Sequence, residues 1–392
     1  MPAIMPPVPL DPVYLDHHAT TPCDPRVVEK MLPYFTEHFG NPASITNQHG
    51  RRASLALEDA RASIARFLGA LPPEIYFTAG ATESNNIALN LLRPGDHFVT
   101  SLTEHKSILA PAERLEKSGV AVTYLTPDAE GFVHPEALRE ALRPETRLVS
   151  IEAANGEIGT IQPVAELAAL CRQRKVLFHT DATQALGKVP LDLTNVDLAS
   201  FSAHKLYGPK GIGALLVRRG VRVTPAIVGG GQERGIRSGT VNVPAVVGFA
   251  YALQLRAAEM AEEALRLAQL RDSLRDSLVE AIEGVSVHGP LRLRSGQARE
   301  LRLPGNLNVS FDRIDAESLL LAMKRFSLSS GSACSSGEKG PSRVLQAIGV
   351  GDAAAMGSLR IGLGKSNTAE QMEMLVEDLQ RAVRRLREIT PP

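Results

Sequence analysis

A lysine follows a short apolar segment near the middle of the chain. Lys205 lies in residues 200–211, which read SFSAHKLYGPKG, with a Gly-Pro-Lys-Gly turn after it. An amine placed among small polar side chains can form a Schiff base with pyridoxal 5′-phosphate (PLP), while neighbours such as Ser202 and His204 bind the phosphate. The alternative is an ordinary surface lysine, so this interpretation depends on support from other segments.

Residues 75–92 predict an anion-binding turn. Residues 75–78 have the pattern of a short buried strand, Gly80 allows a tight turn, and Thr82 is a favourable N-cap for the helix that follows. Free N–H groups at a helix N-terminus bind anions such as phosphate. An ordinary connection between a strand and a helix has the same pattern.

A carboxylate comes at the end of another apolar segment. Residues 176–179 predict a strand, and the carboxylate of Asp181 comes at its end. In open α/β sheets, groups that bind ligands lie at the carboxyl ends of strands. An aspartate there can pair with the protonated pyridine nitrogen of PLP. A solvated aspartate, or the N-cap of the next helix, is the alternative.

Residues 329–342 consist almost entirely of small and polar residues. They read SSGSACSSGEKGPS and predict a mobile loop. A structural cysteine is usually buried and inert. Cys334, on this loop, is therefore either a nucleophile or a thiol without a function.

In this order and spacing, the four segments resemble the cysteine desulfurases of the NifS/IscS type, PLP enzymes of the class V aminotransferase family. Further matching segments are residues 14–22, 39–44, 103–106, 155–159 and 229–240. The resemblance covers essentially the whole chain. The SSGSAC segment, with a long loop after it, is similar to the long-loop subgroup and not to the Arg-x-Gly-His-His-Cys subgroup typical of the SufS type.

The resemblance implies how the cofactor is held. It implies that Lys205 binds PLP covalently, that Asp181 pairs with the ring nitrogen, and that His105 stacks on the ring face and takes part in catalysis. For an isolated histidine, a structural role is the alternative. The implied phosphate contacts are Ala81, Thr82, Ser202, His204 and, from a neighbouring subunit, Thr240.

The resemblance also implies the substrate contacts and the reaction. Gln184 and Asn155 match polar contacts at the ring edge, Asn155 also with the substrate, and Arg360 matches the arginine that binds the substrate carboxylate. L-cysteine is converted to L-alanine, Lys205 moves the Cα proton, and Cys334 becomes a persulfide.

The implied partners are a second copy of the chain, in a homodimer, and a protein that accepts the sulfur. The sulfur is passed on for iron–sulfur cluster assembly, tRNA thiolation or another thio-cofactor. No stable metal site is expected, although transient ligation of an iron–sulfur cluster by Cys334 is compatible with the resemblance.

Composition predicts a cytoplasmic protein without direct contact to nucleic acid or membrane. The chain has 392 residues, of which 43 are basic and 43 acidic. Cys23, Cys171 and Cys334 are too widely spaced for a metal-ligand motif and form no even disulfide set, which favours a reducing compartment. Residues 1–12 do not resemble a signal or transit peptide. No run reaches about 18 apolar residues.

Short apolar runs alternate with helical patterns, such as 53–68 and 164–174, between residues 74 and 216. This alternation predicts an α/β domain with a mostly parallel sheet. The resemblance implies the PLP-dependent transferase fold of type I, with a seven-stranded sheet. We expect a large domain at 13–255, and a small α+β domain at 256–392 that carries the cysteine loop and contacts the first 15 or so residues.

Two positions depart from the family pattern. Gly156 stands where many relatives have a second asparagine, and His17-His18 stands where other polar or aromatic residues are common. A histidine pair is compatible with metal binding, but the sequence offers no third ligand.

Alternative functions remain open from the sequence. A selenocysteine lyase or cysteine-sulfinate lyase has the same fold but does not need Cys334. A scaffold for assembly proteins would need neither Lys205 nor Arg360. A transaminase has no use for a cysteine on a mobile loop.

Overall fold

The structure is a computed structural model that describes residues 12–291, 301–330 and 340–389. Cys334 lies outside the described residues. The strands are β1 (Val13–Tyr14), β2 (Ile75–Thr78), β3 (His97–Ser101), β4 (Ala121–Leu125), β5 (Thr146–Ser150), β6 (Leu177–Asp181), β7 (Leu198–Ser202), β8 (Gly213–Val217), β9 (Val285–His288), β10 (Asn306–Phe311), β11 (Phe326–Ser327), β12 (Ser329–Ser330) and β13 (Ser358–Gly362).

Helices connect most of these strands. They are α1 (Pro25–Met31), α2 (Pro33–Thr36), α3 (Gln48–Phe67), α4 (Ala81–Leu89), α5 (Lys106–Lys117), α6 (Pro135–Ala141), α7 (Val164–Gln173), α8 (Val243–Ala281), α9 (Ala316–Ala322), α10 (Arg343–Ala347), α11 (Asp352–Met356) and α12 (Ala369–Ile389). Among the described residues, no helix combines the length and the apolar character that crossing a membrane requires.

The main sheet has seven strands in the order β2-β8-β7-β6-β5-β3-β4. Neighbouring strands from β7 to β4 are parallel, whereas β8 runs antiparallel to both β7 and β2. Alternate residues enter different cores: Phe98 packs with α4 and α5, whereas Val99 packs in the core that contains α3 and α7. The sheet is therefore covered on both faces, as parallel sheets usually are.

The strand directions bring six loops to one edge of this sheet. Because β8 is antiparallel to both neighbours, β2 runs in the same direction as the five parallel strands. The loops after β2, β3, β5, β6 and β7 therefore meet at the carboxyl edge, together with the loop after β4. Ligands of open α/β sheets bind at this edge.

A second sheet of four antiparallel strands has the order β12-β13-β10-β9. One face packs on α9, α12 and the second half of α8, and Leu15, which follows β1, joins this core. β1 itself pairs with β11. Helix α8 has 39 residues and contributes to both cores, so the expected domain boundary at 255/256 falls inside a continuous helix. That boundary stays a prediction.

Some predicted bounds differ from the structure. Helix α3 begins at Gln48, before the predicted residue 53, because the Asn47 side chain accepts a hydrogen bond from Gly50 N–H and caps the helix. The polar and charged residues 297–303 predict an exposed loop, and that prediction is wrong for residues 301–303. They are buried, since Leu301 and Leu303 are apolar and Arg302 donates to backbone carbonyls.

Candidate functional site

A cavity of about 530 Å³ opens at the carboxyl edge of the main sheet. This volume is in the range of sites for small ligands and cofactors. Residues 340–344 and strand β13 form the wall opposite the sheet. The predicted site residues that line the cavity are Ala81, Thr82, His105, Asn155, Asp181, Gln184, Ser202, His204, Lys205 and Arg360.

The turn between β2 and α4 forms one end of the cavity. Gly80 has φ 154° and ψ 178°, a conformation that residues with a Cβ avoid, and it leads the chain into α4. The first N–H of the helix, at Ala81, donates to Ser202 Oγ over 2.7 Å. Thr82 lies beside it, exposed. The N–H groups and the dipole of α4 make this end suitable for a phosphate.

Lys205 lies in a single helical turn directly after β7. Its Nζ donates to the carbonyl oxygens of His18 and Ala19, at 2.6 and 2.7 Å. The adjacent His204 pairs through Nδ1 with Thr20 Oγ1 at 3.0 Å. Burial, followed by the charges of nearby lysines, lowers the pKa of His204 to about 4. His204 is therefore neutral near pH 7 and can donate to an anion only through a neutral ring.

Asp181 is the last residue of β6, and this residue is 7% exposed, at the cavity wall. Thr183 N–H donates to Oδ1 at 3.0 Å, and the Asn85 side-chain amide donates to Oδ2 at 2.7 Å. These bonds hold a negative charge in a defined orientation next to the cavity. A cationic ring nitrogen is the partner that such a carboxylate favours.

His105 caps α5 with its own ring. Its Nδ1 accepts from Ser107 N–H at 3.1 Å and contacts Ser107 Oγ at 2.7 Å. The ring lines the cavity, while burial on its other sides lowers its pKa. A neutral imidazole in this position can stack on an aromatic cofactor.

Gln184 lies between the sheet and the segment around His18. Its Nε2 donates to the His18 carbonyl at 2.9 Å, and its Oε1 accepts from Lys188 Nζ at 2.8 Å. A Cβ at Gly156 would lie 2.5 Å from Gln184 Nε2. The glycine that departs from the family pattern therefore leaves room for the Gln184 amide.

Asn155 uses its whole amide within the protein. Its Oδ1 accepts from the N–H groups of Glu157 and Ile158, and its Nδ2 donates to Thr103 O and to Glu152 Oε1. These four bonds hold the turn after β5 in shape. Direct contact of Asn155 with cofactor or substrate stays a prediction.

Two buried carboxyls lie next to Asn155. The N–H of Glu152 donates to Glu104 Oε1 at 2.5 Å, and Glu104 and Glu152 both line the cavity. Burial raises the pKa of each, and the charge of Glu152 raises the pKa of Glu104 further. The pKa of Glu152 rises to about 8, so this carboxyl retains a proton near pH 7.

Arg360 is on β13, on the opposite side of the cavity. Its Nη2 donates to Asp16 Oδ1 at 2.7 Å, and Ser329 Oγ donates to the same oxygen at 2.9 Å. The guanidinium is almost completely buried. Its charge also lowers the pKa of Glu157, although burial has the larger effect and raises that pKa to about 7.

Two predicted site residues are not among those that form the cavity. Thr240 is exposed and is absent from the described cavity lining, while its predicted role requires a second subunit. Cys334 lies outside the described residues. The structure brings the other ten predicted residues together, and their individual roles stay predictions.

Several residues of the site were not singled out from the sequence. Asp16, Asn85, Ser107, Glu152 and Glu157 each bond to a predicted residue or line the same cavity. The sequence offered a signal for Asp16, Asn85 and Glu157, since each lies in a segment that resembles the family. Ser107 is an ordinary helix residue in sequence, and only folding brings Asn85 to Asp181 and to Ser107.

The residues present fit PLP. Gly80 and the first turn of α4 leave a space with N–H donors for the phosphate. The cavity that Ala81 and Thr82 line is also lined by Lys205. Asp181 would offer a carboxylate to the pyridinium nitrogen, and His105 would offer a ring for stacking.

Comparison with known proteins agrees with this geometry. The family model described as "Aminotransferase class-V" matches residues 13–375. The "Cysteine desulfurase IscS" of Anaeromyxobacter dehalogenans (strain 2CP-C) is 46% identical over 389 residues, which is 97% of this chain and 94% of that protein.

Solved structures are similar over almost the same length. A "NifS-like protein" has a TM-score of 0.87 and 38% identity, and the match covers 95% of this chain and 99% of that one. A structure described as "SspA in complex with cysteine" has a TM-score of 0.78 and 36% identity, covering 90% of this chain and 98% of that one.

Family membership explains why a lysine, a carboxylate and a free helix N-terminus converge on one cavity. Class V aminotransferases depend on PLP, and the fold is the α/β fold of type I that these enzymes share. The chain belongs to the class V aminotransferase family and, within it, to the cysteine desulfurases of the NifS/IscS type.

Proposed function

We propose that this protein removes sulfur from L-cysteine, releasing L-alanine and holding the sulfur as a persulfide on Cys334. The observation that carries the proposal is the convergence of Lys205, Asp181 and the α4 N-terminus on one cavity, with Arg360 on the opposite wall. The first three suit the cofactor, and a buried guanidinium suits a substrate carboxylate. Similarity to cysteine desulfurases over 97% of the chain supports the same activity.

The cofactor is held by groups from several loops. Lys205 binds it covalently, Asp181 pairs with its ring nitrogen, and His105 stacks on its face. Gln184 and Asn155 lie at the ring edge. The phosphate contacts are Ala81, Thr82, Ser202, His204 and, from the neighbouring subunit, Thr240. When bound, PLP supplies an electron sink that stabilises negative charge on the substrate Cα.

Arg360 and Lys205 position and deprotonate the substrate. The Arg360 guanidinium binds the carboxylate and orients the amino acid so that its Cα hydrogen faces Lys205. The Lys205 amine removes that proton and later returns one to the product. Asp16 holds one guanidinium nitrogen through the ion pair described above, which limits rotation of Arg360.

Cys334 accepts the sulfur. Its thiolate attacks the substrate sulfur, the substrate C–S bond breaks, and the bonding electrons stay with the carbon, which is protonated to give alanine. Cysteine and one enzyme thiol thus become alanine and one enzyme persulfide, with no external oxidant. The other cysteines suit this role poorly, because burial raises the pKa of Cys23 and raises that of Cys171 to about 12.

The functional unit we propose is a homodimer that passes sulfur to a separate acceptor protein, such as an iron–sulfur scaffold or a tRNA-thiolation protein. Within each chain, residues 13–255 form the large domain and 256–392 the small one. Two cores, joined by α8, support this division. The location we propose is the cytoplasm, because the three widely spaced cysteines favour a reducing compartment.

The test is release of alanine and sulfide from L-cysteine, with a thiol reductant, by wild type, Cys334→Ser and Cys23→Ser. We expect wild type and Cys23→Ser to turn over and Cys334→Ser to release neither product, while still showing a change in the PLP absorbance on adding cysteine. If Cys334→Ser turns over as fast as wild type, the persulfide step is wrong and a lyase reaction replaces it.

A further inference from the structure

A chain of hydrogen bonds connects Asp181 to His105 behind the cavity. The Asn85 side-chain amide donates to Asp181 Oδ2 at 2.7 Å and to Ser107 Oγ at 2.7 Å. Ser107 Oγ in turn contacts His105 Nδ1 at 2.7 Å. The four side chains come from β6, α4 and α5, and Asn85 and Ser107 are buried. The two groups predicted to contact the cofactor ring are therefore linked to each other.

The direction of each bond in this chain follows from Asp181. A carboxylate accepts only, and both of its oxygens already face N–H groups, so Asn85 must present its NH₂ and not its oxygen. The second hydrogen of that NH₂ points at Ser107 Oγ, which therefore accepts. The Ser107 hydroxyl hydrogen is then free to be donated to His105 Nδ1.

A second donor points at the same ring nitrogen. The backbone N–H of Ser107 also donates to His105 Nδ1, at 3.1 Å, because His105 caps α5 with its ring. A proton on Nδ1 would face both this N–H and the Ser107 hydroxyl. The neutral ring therefore carries its proton on Nε2.

We propose that Ser107 and Asn85 are positioning residues that hold His105 as the tautomer with a proton on Nε2 and a lone pair on Nδ1. The ring then presents a hydrogen-bond donor to the cavity, and Nε2 has no lone pair with which to accept a proton. The consequence for catalysis rests on the proposed function: His105 stacks and donates, whereas the Cα proton is moved by Lys205.

Burial and two nearby lysines favour the neutral ring, and one carboxylate opposes them. Burial lowers the pKa of His105, and Lys205, after β7, and Lys106, on α5, lower it further. Asp181, on β6, opposes them. A second proton on the ring would have to be added at Nδ1, where two donors already point, so the neutral form is favoured by geometry as well as by charge.

The direct test is the ¹⁵N spectrum of the holoenzyme labelled at histidine. The chain has 10 histidines, so the His105 signals are assigned by their loss in His105→Gln. We expect the Nε2 signal at the position of a protonated nitrogen and the Nδ1 signal at that of an unprotonated one, near pH 7.5. Protonated Nδ1, or two averaged signals, would overturn the proposal.

Variants of Ser107 separate positioning from simple packing. Ser107→Ala removes one of the two donors to Nδ1, so the two ¹⁵N signals should move toward each other and kcat should fall by about tenfold or less. Ser107→Thr keeps a hydroxyl, so the positions of the ¹⁵N signals and the kcat should both return to their wild-type values. If Ser107→Ala leaves both signals unchanged, Ser107 does not set the tautomer.

Different results would contradict the proposed function and the positioning role of Ser107 and Asn85. Signals of the expected tautomer in an enzyme that does not act on cysteine would contradict the proposed function and leave the positioning role intact. The reverse tautomer in an enzyme that releases alanine and sulfide would contradict the positioning role alone. The wild-type spectrum decides the tautomer even if a Ser107 variant does not fold.

Discussion

Arg360 lies between two acidic groups that come from distant parts of the chain. Asp16 forms an ion pair with Arg360, and the positive charge of Arg360 lowers the pKa of Glu157. A buried guanidinium without a compensating charge would be costly, and Asp16 supplies that charge while leaving Arg360 at the cavity wall. Recognition of a second carboxylate then depends on the planar shape of the guanidinium.

Replacing Arg360 with lysine tests this dependence. Arg360→Lys keeps the charge but removes the fork that binds two carboxylate oxygens, so KM for L-cysteine should rise about tenfold or more. Steady-state kinetics of alanine release measure this. Arg343→Lys, at an exposed position of the same wall, is the control and should change KM by less than about twofold. An unchanged KM in Arg360→Lys would contradict the proposed role.

The raised pKa of Glu157 predicts that the stability of the folded protein depends on pH. Burial raises its pKa from 4.5 to about 7, so between these values the folded protein binds more protons than the unfolded chain. Stability from this group is therefore present at low pH and is lost as pH rises toward 7. Glu157→Gln cannot ionise and still accepts from Ser342 Oγ, which lies 2.5 Å from Glu157 Oε1.

Thermal unfolding of the holoenzyme at pH 5 and pH 8 measures this effect. The free energy of unfolding of Glu157→Gln, relative to that of wild type, should be higher at pH 8 than at pH 5, by on the order of 2 kcal/mol. The exposed substitution Glu136→Gln is the control and should show no such gain. A loss of relative stability for Glu157→Gln at pH 8 would show that the ionised carboxylate is favoured.

At the scale of elements, the unit from β2 to α4 decides whether the phosphate has a site. The turn must bring helix N–H groups to the cavity without a side chain in between. Gly80 meets both needs, and a Cβ there would also lie 3.3 Å from Ser202 Oγ. The conformation of one residue thus controls the end of a whole helix.

Gly80→Ala should strain this turn and weaken retention of PLP. Gly69→Ala is a matched control, because Gly69 also has a positive φ, of 60°, but lies before β2 with no atom near its Cβ position. Both should lose about 1 kcal/mol or more of stability. Only Gly80→Ala should lose PLP faster on dialysis, followed by absorbance. Equal retention in the two variants would rule out a role for the turn in phosphate binding.

At the scale of the whole molecule, the predicted phosphate contact of Thr240 requires a second chain. The loop that carries it is anchored by a buried ion pair, in which both guanidinium nitrogens of Arg61 donate to Glu233 at 2.7 and 2.8 Å. Phe77 N–H, on β2, donates to the same carboxylate. The loop is therefore tied to the strand that leads to the phosphate turn of its own subunit.

A complementation experiment tests this prediction. Thr240→Glu should repel the phosphate in the partner's site, and Lys205→Ala cannot bind PLP covalently, so each variant alone should be nearly inactive. After subunits are mixed and exchanged, each mixed dimer has one intact site. We expect recovery of about a quarter of wild-type activity. Equilibrium sedimentation should give twice the chain mass of 42.1 kDa. No recovery despite subunit exchange would place Thr240 outside the site.

Local patterns determined much of this protein. Strand β2 begins and ends where its predicted run, residues 75–78, does, because short buried runs bounded by turn residues have few other conformations. The site residues at the ends of strands, such as Asp181 and Lys205, could be predicted for a related reason. The topology of an α/β sheet brings strand ends to one edge.

The tertiary structure alone decided how these groups are held. That Asn85 joins Asp181 to Ser107, that Asp16 pairs with Arg360 across 344 positions, and that the pKa of Glu157 is raised are consequences of packing between distant segments. The hydrogen-bond partners and pKa values of polar groups depend on which side chains and how much solvent surround them. Sequence spacing carries no measure of either.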